Sequence, residues 1–110
     1  MTDDFEVRVA RCATATVLSV RGEVDLATAP ALRSAITLVT RTERKLLVID
    51  LMAVTFLSSA GLLVLVEAAE AGPPEVRVVA VGRATRRPIR VTGLDAVLAI
   101  RETLVDALAR

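Results

Sequence analysis

The chain contains no histidine among its 110 residues, and this absence excludes much of serine chemistry. A Ser-His-Asp triad needs an imidazole as its general base, so no such triad can form. The nucleophile-elbow pattern also requires a glycine two residues before the serine, and Leu57 occupies that position for Ser59. The sequence therefore does not predict a serine hydrolase.

Cysteine is nearly absent as well, since Cys12 is the only one. It cannot form an intramolecular disulfide, and the spacing typical of metal ligands is missing, so we predict no metal site. Because an isolated cysteine usually packs as a small hydrophobe, we interpret Cys12 as a turn or packing residue rather than a redox switch. The segments around Gly72 and Gly82 match neither a Walker A nor a GxGxxG pattern, so no cofactor is predicted.

Aromatic residues and excess charge are also scarce. The only aromatic residues are Phe5 and Phe56, and the formal net charge is +1. A nucleic-acid-binding domain normally carries a clear basic excess or an aromatic-rich basic strand on which bases stack. The sequence has neither feature, so we predict no nucleic-acid partner. The longest apolar run, around residues 61–66, is too short to span a bilayer, and the acidic start at residues 1–4 lacks a signal-peptide pattern. These features favour a soluble, cytoplasmic protein without a membrane partner.

Length and periodicity predict one α/β domain covering residues 1–110. The order of elements is β-β-α-β-α-β-α-β-α, which favours a mostly parallel sheet with right-handed crossovers and an antiparallel edge. Alternation and apolar runs predict strands at residues 5–9, 14–20, 46–49, 76–81 and 97–100. Helical spacing predicts a helix after Thr28 that carries Leu32, Ala35, Ile36 and Val39, and a final helix that carries Leu104, Ala107 and Leu108. Between them we predict helix 59–71, ended by Gly72-Pro73-Pro74, and helix 85–92, ended by Gly93 as a left-handed cap.

The stretch from Asp50 to Leu62 leads an apolar strand into Ser58 and Ser59, and then into an amphipathic helix. One interpretation is that one of these serines merely caps the helix, a frequent role of serine. The other is that a serine here accepts phosphate, since backbone N–H groups and the helix dipole stabilise an anion at a helix start. The two interpretations are compatible.

Three runs of this sequence resemble the STAS domain, and specifically the bacterial anti-sigma factor antagonists. They are residues 22–28 (Gly-Glu-Val-Asp-Leu-Ala-Thr), residues 54–62 (Val-Thr-Phe-Leu-Ser-Ser-Ala-Gly-Leu) and residues 92–95 (Thr-Gly-Leu-Asp). Their order and spacing match the family over almost the whole chain. Two positions depart from its pattern: Ser58 stands where the family usually has Asp, and Ala60 where it usually has Ser or Thr.

The resemblance implies a STAS fold, with a mixed, mostly parallel sheet, an antiparallel edge and about four helices. It also implies a protein-binding switch that is not an enzyme. The unphosphorylated form would bind an anti-sigma factor, often a serine kinase, and so release a sigma factor. Phosphorylation would break the complex and a phosphatase would restore it. The family's phosphoserine corresponds to Ser59, with Ser58 as the alternative, and we expect a monomer or a weak dimer.

The resemblance places further partner-binding residues around these serines, and each also has a plain structural interpretation. Asp25 is either a turn carboxylate beside Thr28 or part of the partner surface. Leu63 falls on the wet side of its helix, so it is either an ordinary exposed leucine or an interface anchor. Gly61 is a poor helix former in a first helical turn, which suggests close approach by another backbone or by a partner.

Two alternatives remain at the level of sequence. The first is a STAS scaffold or sensory module that binds a small ligand or a larger signalling complex. The second is a small enzyme with a nucleotide site. The four arginines Arg83, Arg86, Arg87 and Arg90 are either a solvated helix face or a surface that steers an acidic partner or holds a phosphate.

Overall fold

A single five-stranded sheet is at the centre of the fold. The computed structural model describes residues 5–109, so the acidic start at residues 1–4 and Arg110 lie outside it. The strands follow one another across the sheet in chain order, with β1 antiparallel to β2 and all other neighbours parallel. This confirms the predicted mixed sheet with its antiparallel edge. The strands are β1 (Glu6–Arg11), β2 (Thr16–Val24), β3 (Leu46–Leu57), β4 (Glu75–Val79) and β5 (Ala99–Arg101).

Four α-helices within residues 5–109 connect or follow the parallel strands: α1 (Ala29–Thr40), α2 (Ser59–Ala71), α3 (Arg86–Val91) and α4 (Leu104–Leu108). None of them is long and apolar enough to cross a membrane. Gly93 follows the C-cap residue of α3 and has a φ of 76°, which is the left-handed conformation predicted for the residue that ends this helix. The last strand begins later than predicted, because the N–H groups of Val97 and Leu98 both donate to the carbonyl of Leu94 in a short 3-10 turn.

The two faces of the sheet are covered unequally. Consecutive right-handed crossovers put successive helices on one face, and the larger core cluster there includes buried residues of α1, α2 and α3. The other face carries a small cluster completed by α4, with Ala107 fully buried. The members of that smaller cluster are Ala15, Val17, Leu46, Val48, Val79 and Ala107.

The buried surface of α2 is broader than its sequence pattern predicts. Helical spacing in residues 59–71 predicts a buried stripe of Leu62, Leu65, Val66 and Ala69, but Val66 and Ala69 are only half-buried. Gly61 and Val64 are buried instead, together with Leu62 and Leu65. The reason is that α2 packs against both the sheet and α1, so one narrow stripe cannot describe its contacts.

β3 is much longer than the predicted strand at residues 46–49, because it is bulged. Its pairing with β2 shifts register twice, between Ser19 and Arg21 and between Gly22 and Glu23. Each bulge adds one unpaired residue to β3, so Leu51, Val54 and Leu57 are buried at three-residue intervals. The bulged half of β3 delivers the chain to the start of α2.

Cys12 lies in the turn between β1 and β2. Its N–H donates to the carbonyl of Ala15 at 2.9 Å, and its thiol donates to the same oxygen at 3.3 Å. The side chain is exposed. The interpretation of Cys12 as a turn residue is therefore confirmed, and a packing role is not.

Candidate functional site

The candidate site forms where β2 and β3 leave the sheet side by side. Val24 and Leu57 are the last paired residues of these parallel strands, and the N–H of Ser58 donates to the carbonyl of Val24 at 2.9 Å. Asp25 follows Val24 directly. The pairing therefore makes Asp25 and Ser58 neighbours, about one strand spacing of 5 Å apart, although more than thirty residues separate them along the chain.

Ser58 is the N-cap of α2. Its backbone is extended, with φ −85° and ψ 173°, and its hydroxyl accepts a hydrogen bond from the N–H of Gly61 at 3.3 Å. Asp is an equally good N-cap residue, so Ser58 keeps the structural role of a carboxylate at this position without its charge. The side chain is half-buried, in keeping with this use.

Ser59 is the first residue of α2 and differs from Ser58 in its surroundings. It is exposed, and its hydroxyl forms no hydrogen bond with any part of residues 5–109. It lies in the first turn, where N–H groups lack intrahelical acceptors and the helix dipole is positive. Of the two serines, Ser59 has the hydroxyl that another protein reaches without disturbing the helix cap.

Gly61 is required by packing inside the domain. A Cβ at this position would lie 2.7 Å from Leu57 Cδ1 and 2.7 Å from Val24 Cγ1. The residue is buried between the ends of β2 and β3, so the close approach that its sequence position suggests comes from side chains of the domain itself. Gly61 therefore acts on the site by letting α2 begin close to the sheet, which fixes where Ser58 and Ser59 lie.

Asp25 organises the loop that leads into α1. Its Oδ1 accepts hydrogen bonds from the N–H of Ala27 and of Thr28, each at 3.0 Å. The Thr28 hydroxyl shares its single hydrogen between this oxygen at 3.1 Å and the carbonyl of Glu23 at 2.7 Å. The hydrogen bond from the Thr28 backbone is the main cause that holds the pKa of the Asp25 carboxyl below its usual value. The turn interpretation of Asp25 is therefore confirmed, and its carboxylate stays ionised beside Ser58.

Leu63 continues the exposed surface of α2 beyond Ser59. The two residues are four apart on the helix, so they lie on the same face one turn from each other. Leu63 is 53% exposed, in agreement with its predicted place on the wet side. One turn further, Glu67 pairs with Arg33 of α1 at 3.0 Å, which joins this surface to the neighbouring helix.

Two exposed apolar side chains near the serines were not identified from the sequence. Leu26, in the loop after Asp25, is 81% exposed, and Phe56, two residues before Ser58, is 50% exposed. The sequence does contain a signal for Leu26, because a large apolar residue inside a short polar turn is expected to be exposed. Phe56 gave no such signal, because the bulges of β3 decide which of its residues face the core.

The chemistry available here is that of a protein surface with an accessible hydroxyl at the start of a helix. Within residues 5–109, no side chain that could act as a general base accepts a hydrogen bond from the Ser59 hydroxyl. In the same part of the chain, no group of three or more Cys, Asp or Glu side chains is placed to hold a metal ion. The site combines a hydroxyl at a helix start, a fixed carboxylate and exposed apolar side chains. Such a mixture suits contact with another macromolecule.

Comparisons with known proteins agree with this geometry. The model of the STAS domain family matches residues 6–107. The chain is 46% identical over 108 residues to the anti-sigma-F factor antagonist RsfB of Mycobacterium tuberculosis, covering 96% of this chain and 88% of that protein.

Solved structures show the same likeness. An anti-sigma factor antagonist from Mycobacterium paratuberculosis is 46% identical and superposes with a TM-score of 0.90, covering 96% of this chain and 92% of that one. SpoIIAA, described as a Bacillus cell fate determinant, is 15% identical and shares the fold, with TM-scores of 0.72 for its unphosphorylated form (94% of this chain, 93% of that one) and 0.66 for its phosphorylated form (94% and 96%). This chain therefore belongs to the STAS domain family and, within it, to the anti-sigma factor antagonists.

Proposed function

We propose that this protein is an anti-sigma factor antagonist that works as a protein-binding switch and not as an enzyme. The observation that carries the proposal is Ser59, whose exposed hydroxyl lies unused at the start of α2, beside a helix cap that Ser58 already provides. The relative RsfB is named for the same role, and its likeness extends over nearly the whole chain.

In this proposal the unmodified protein binds an anti-sigma factor through the surface around Ser59. Leu63 supplies the apolar anchor on α2, and Asp25 supplies a fixed negative charge from the neighbouring loop. Ser58 and Gly61 act mainly by shaping the start of α2. Binding would occupy the anti-sigma factor and release its sigma factor for transcription.

Phosphorylation of Ser59 would switch this binding off. A phosphate adds about −1.5 to −2 charge at neutral pH, next to the ionised Asp25, so a partner surface matched to the unmodified site would meet repulsion and a desolvation cost. The domain itself would remain folded, because the first turn of a helix tolerates an anion. SpoIIAA has been solved in both an unphosphorylated and a phosphorylated form, so the shared fold accommodates the modification in that protein.

Ser59 is a better acceptor than Ser58 for a geometric reason. The Ser58 hydroxyl is half-buried and holds the N–H of Gly61, so a kinase would have to break the helix cap to reach it. Phosphoryl transfer depends on placing one hydroxyl in line with the γ-phosphate, which an exposed and unbonded side chain permits. The kinase in this scheme is the anti-sigma factor itself, and a separate phosphatase resets the switch.

Binding of a purified anti-sigma factor tests the proposal. The partner is obtained by capture from the native cytoplasm on the unmodified protein, identified by mass spectrometry, and then titrated by calorimetry. We expect Ser59→Ala to bind like the parent and Ser59→Glu to bind more weakly. Capture of no sigma-regulating protein, together with ligand-dependent stabilisation by a small molecule, would favour a sensory STAS module instead.

Site mapping after incubation with that partner and ATP tests the switch separately. We expect phosphate on Ser59 in the parent and in Ser58→Ala, and none in Ser59→Ala. Phosphate on Ser58 alone would overturn the choice of residue. If neither serine is modified while binding is retained, the protein is a binding module without this switch.

A further inference from the structure

A second surface with functional character lies around α3, outside the site just described. Residues 76–94 contain five arginines and no Asp or Glu, although the whole chain is nearly neutral at +1. One of the five, Arg77, pairs with Glu75 at 3.0 Å and donates to the Ala107 carbonyl at 2.9 Å, so its charge is used within the fold. The other four form what we call the arginine cluster: Arg83, Arg86, Arg87 and Arg90.

The arginine cluster surrounds one cavity. Arg83 lies in the turn before α3, and Arg86, Arg87 and Arg90 lie on α3 itself. Together with Gly82 they alone line a cavity of about 230 Å³. Gly82 has a φ of 89° and turns the chain into this segment, and its carbonyl accepts hydrogen bonds from the N–H groups of Arg86 and Arg87.

The charges of the arginine cluster are not satisfied inside the protein. None of its four guanidinium groups forms an ion pair or hydrogen bond with residues 5–109. Arg86 Nε is moreover buried and has no acceptor in that part of the chain. In contrast, Arg8 and Arg33 on other elements each pair with a glutamate at 2.8 Å and 3.0 Å. Because buried polar groups are rarely left unbonded, an acceptor from outside the described chain is expected at Arg86.

We propose that the arginine cluster binds a small phosphate-bearing anion. Guanidinium groups form paired, charge-assisted hydrogen bonds with phosphate oxygens, and several around one cavity favour a multiply charged phosphate over a single carboxylate. The cavity is lined by Gly82 and four arginines, so no aromatic or branched aliphatic side chain among its lining residues is placed to hold a base or an alkyl group. The site therefore recognises the phosphate charge, whether it comes from a free polyphosphate or from a nucleotide.

This binding is independent of the proposed switch, because it uses neither Ser59 nor any other residue of the partner surface. An acidic protein surface is the competing occupant, because Arg83, Arg87 and Arg90 are exposed. The experiment below therefore distinguishes binding of an acidic protein from binding of a phosphate.

Calorimetric titration of the full chain with pyrophosphate at low ionic strength tests the proposal. We expect saturable binding that weakens as salt is added. The double variant Arg87→Gln, Arg90→Gln changes two exposed members of the cluster, and we expect it to lose affinity roughly tenfold or more, as removal of hydrogen bonds between charged groups does. The matched control is Arg41→Gln, Arg44→Gln, which removes the same charge from exposed arginines at the end of α1 and just beyond it.

Three results would overturn the proposal. The first is the absence of saturable binding, and the second is an equal loss of affinity in the cluster variant and in the control. The third is tighter binding of a hexaglutamate peptide than of pyrophosphate, which would assign the surface to an acidic protein. We expect tripolyphosphate and ATP to bind about equally, and a roughly tenfold preference for ATP would contradict recognition by charge alone. Amide shifts in residues 82–90 on addition of pyrophosphate would support the assignment. We expect Arg86→Gln, which replaces the half-buried arginine with the buried Nε, to weaken pyrophosphate binding as well.

Discussion

The entrances of α1 and α2 lie side by side at the ends of β2 and β3, yet they use their polar side chains in opposite ways. At α1, Thr28 occupies the N-cap position, but its hydroxyl accepts from the N–H of Asp25 at 2.9 Å and donates to the carbonyl of Glu23 at 2.7 Å. At α2, Ser58 makes a single capping bond, and the hydroxyl of Ser59 makes none with the described part of the chain.

The difference teaches where a modification can be placed. Asp25 Oδ1 and the Thr28 hydroxyl both hold the loop through hydrogen bonds, so a change at either alters the fold before it alters a partner. At α2 the structural and the modifiable hydroxyl are separate residues. A switch can therefore act on Ser59 while Ser58 keeps the helix start intact.

The largest effect is expected from a side chain at the third position of α2. Gly61→Val should lower the free energy of unfolding by about 3 kcal/mol, because overpacking meets a stiff, buried Val24. The equivalent change at the start of α1, Ala31→Val, is exposed and should cost under about 0.5 kcal/mol. Urea unfolding measures both.

Gly61→Ala sharpens that test, because two effects predict opposite signs. Helix propensity alone would stabilise the protein by about 1 kcal/mol, whereas a Cβ only 2.7 Å from Val24 Cγ1 should destabilise it. A more stable Gly61→Ala variant would show that α2 is not held close to the sheet by this glycine.

The next largest effect concerns the apolar anchor on α2. Leu63→Glu should weaken binding of the anti-sigma factor by about 2 kcal/mol, or roughly thirtyfold, as truncation of a central interface residue does. The control is Leu38→Glu on α1, where the leucine is 60% exposed and far along the helix from its entrance. Thermal unfolding should show both variants folded, and equal affinities would remove Leu63 from the interface.

Thr28 tests the claim that the α1 entrance is structural. Thr28→Val keeps the shape of the side chain but removes its hydrogen bonds to Asp25 and Glu23, so the free energy of unfolding should fall by about 1.5 kcal/mol. Thr28→Ser should recover most of that loss. In contrast, Ser59→Ala should stay within about 0.5 kcal/mol of the parent. Similar losses in Thr28→Val and Ser59→Ala would break the comparison between the two entrances.

Ser58 should give a smaller effect whose sign depends on the replacement. Ser58→Ala removes the cap and should cost about 1 kcal/mol. Ser58→Asp restores the residue usual in the family, caps equally well and places a negative charge at the positive end of the helix dipole, so it should match or slightly exceed the parent. A destabilised Ser58→Asp would mean that the carboxylate is repelled by Asp25 more than the helix attracts it.

The smallest effect is a dependence on pH at the α1 entrance. Because hydrogen bonds lower the pKa of Asp25 in the folded state, its ionised form contributes stability that is complete above the unfolded pKa of about 3.9. That contribution is lost as the pH falls through the lower folded pKa. The stability difference between the parent and Asp25→Asn should therefore shrink in acid, and a carboxyl NMR titration of Asp25 gives its pKa directly.

Local signals in the sequence were sufficient for some elements and not for others. Both ends of α2 agree with the prediction at residues 59–71, because Ser58-Ser59 at its start and Gly72-Pro73-Pro74 directly after it are local signals. The bulged half of β3 was missed, because three-residue spacing of Leu51, Val54 and Leu57 arises only when β3 pairs with β2. A bulge is a property of two strands, and one strand's sequence does not display it.

The candidate site divides in the same way. The sequence by itself determined the two serines at a helix start, the absence of an imidazole base, the exposed face of Leu63 and the acid-free run of arginines. Tertiary structure decided that Asp25 lies beside Ser58, that Gly61 packs against Val24, and that Arg86 Nε is buried with no acceptor among residues 5–109. The physical reason is the separation along the chain at which each effect acts. Capping, charge patterns and helical spacing depend on residues a few positions apart. The contacts decided by tertiary structure exist only after parallel strands bring distant segments together.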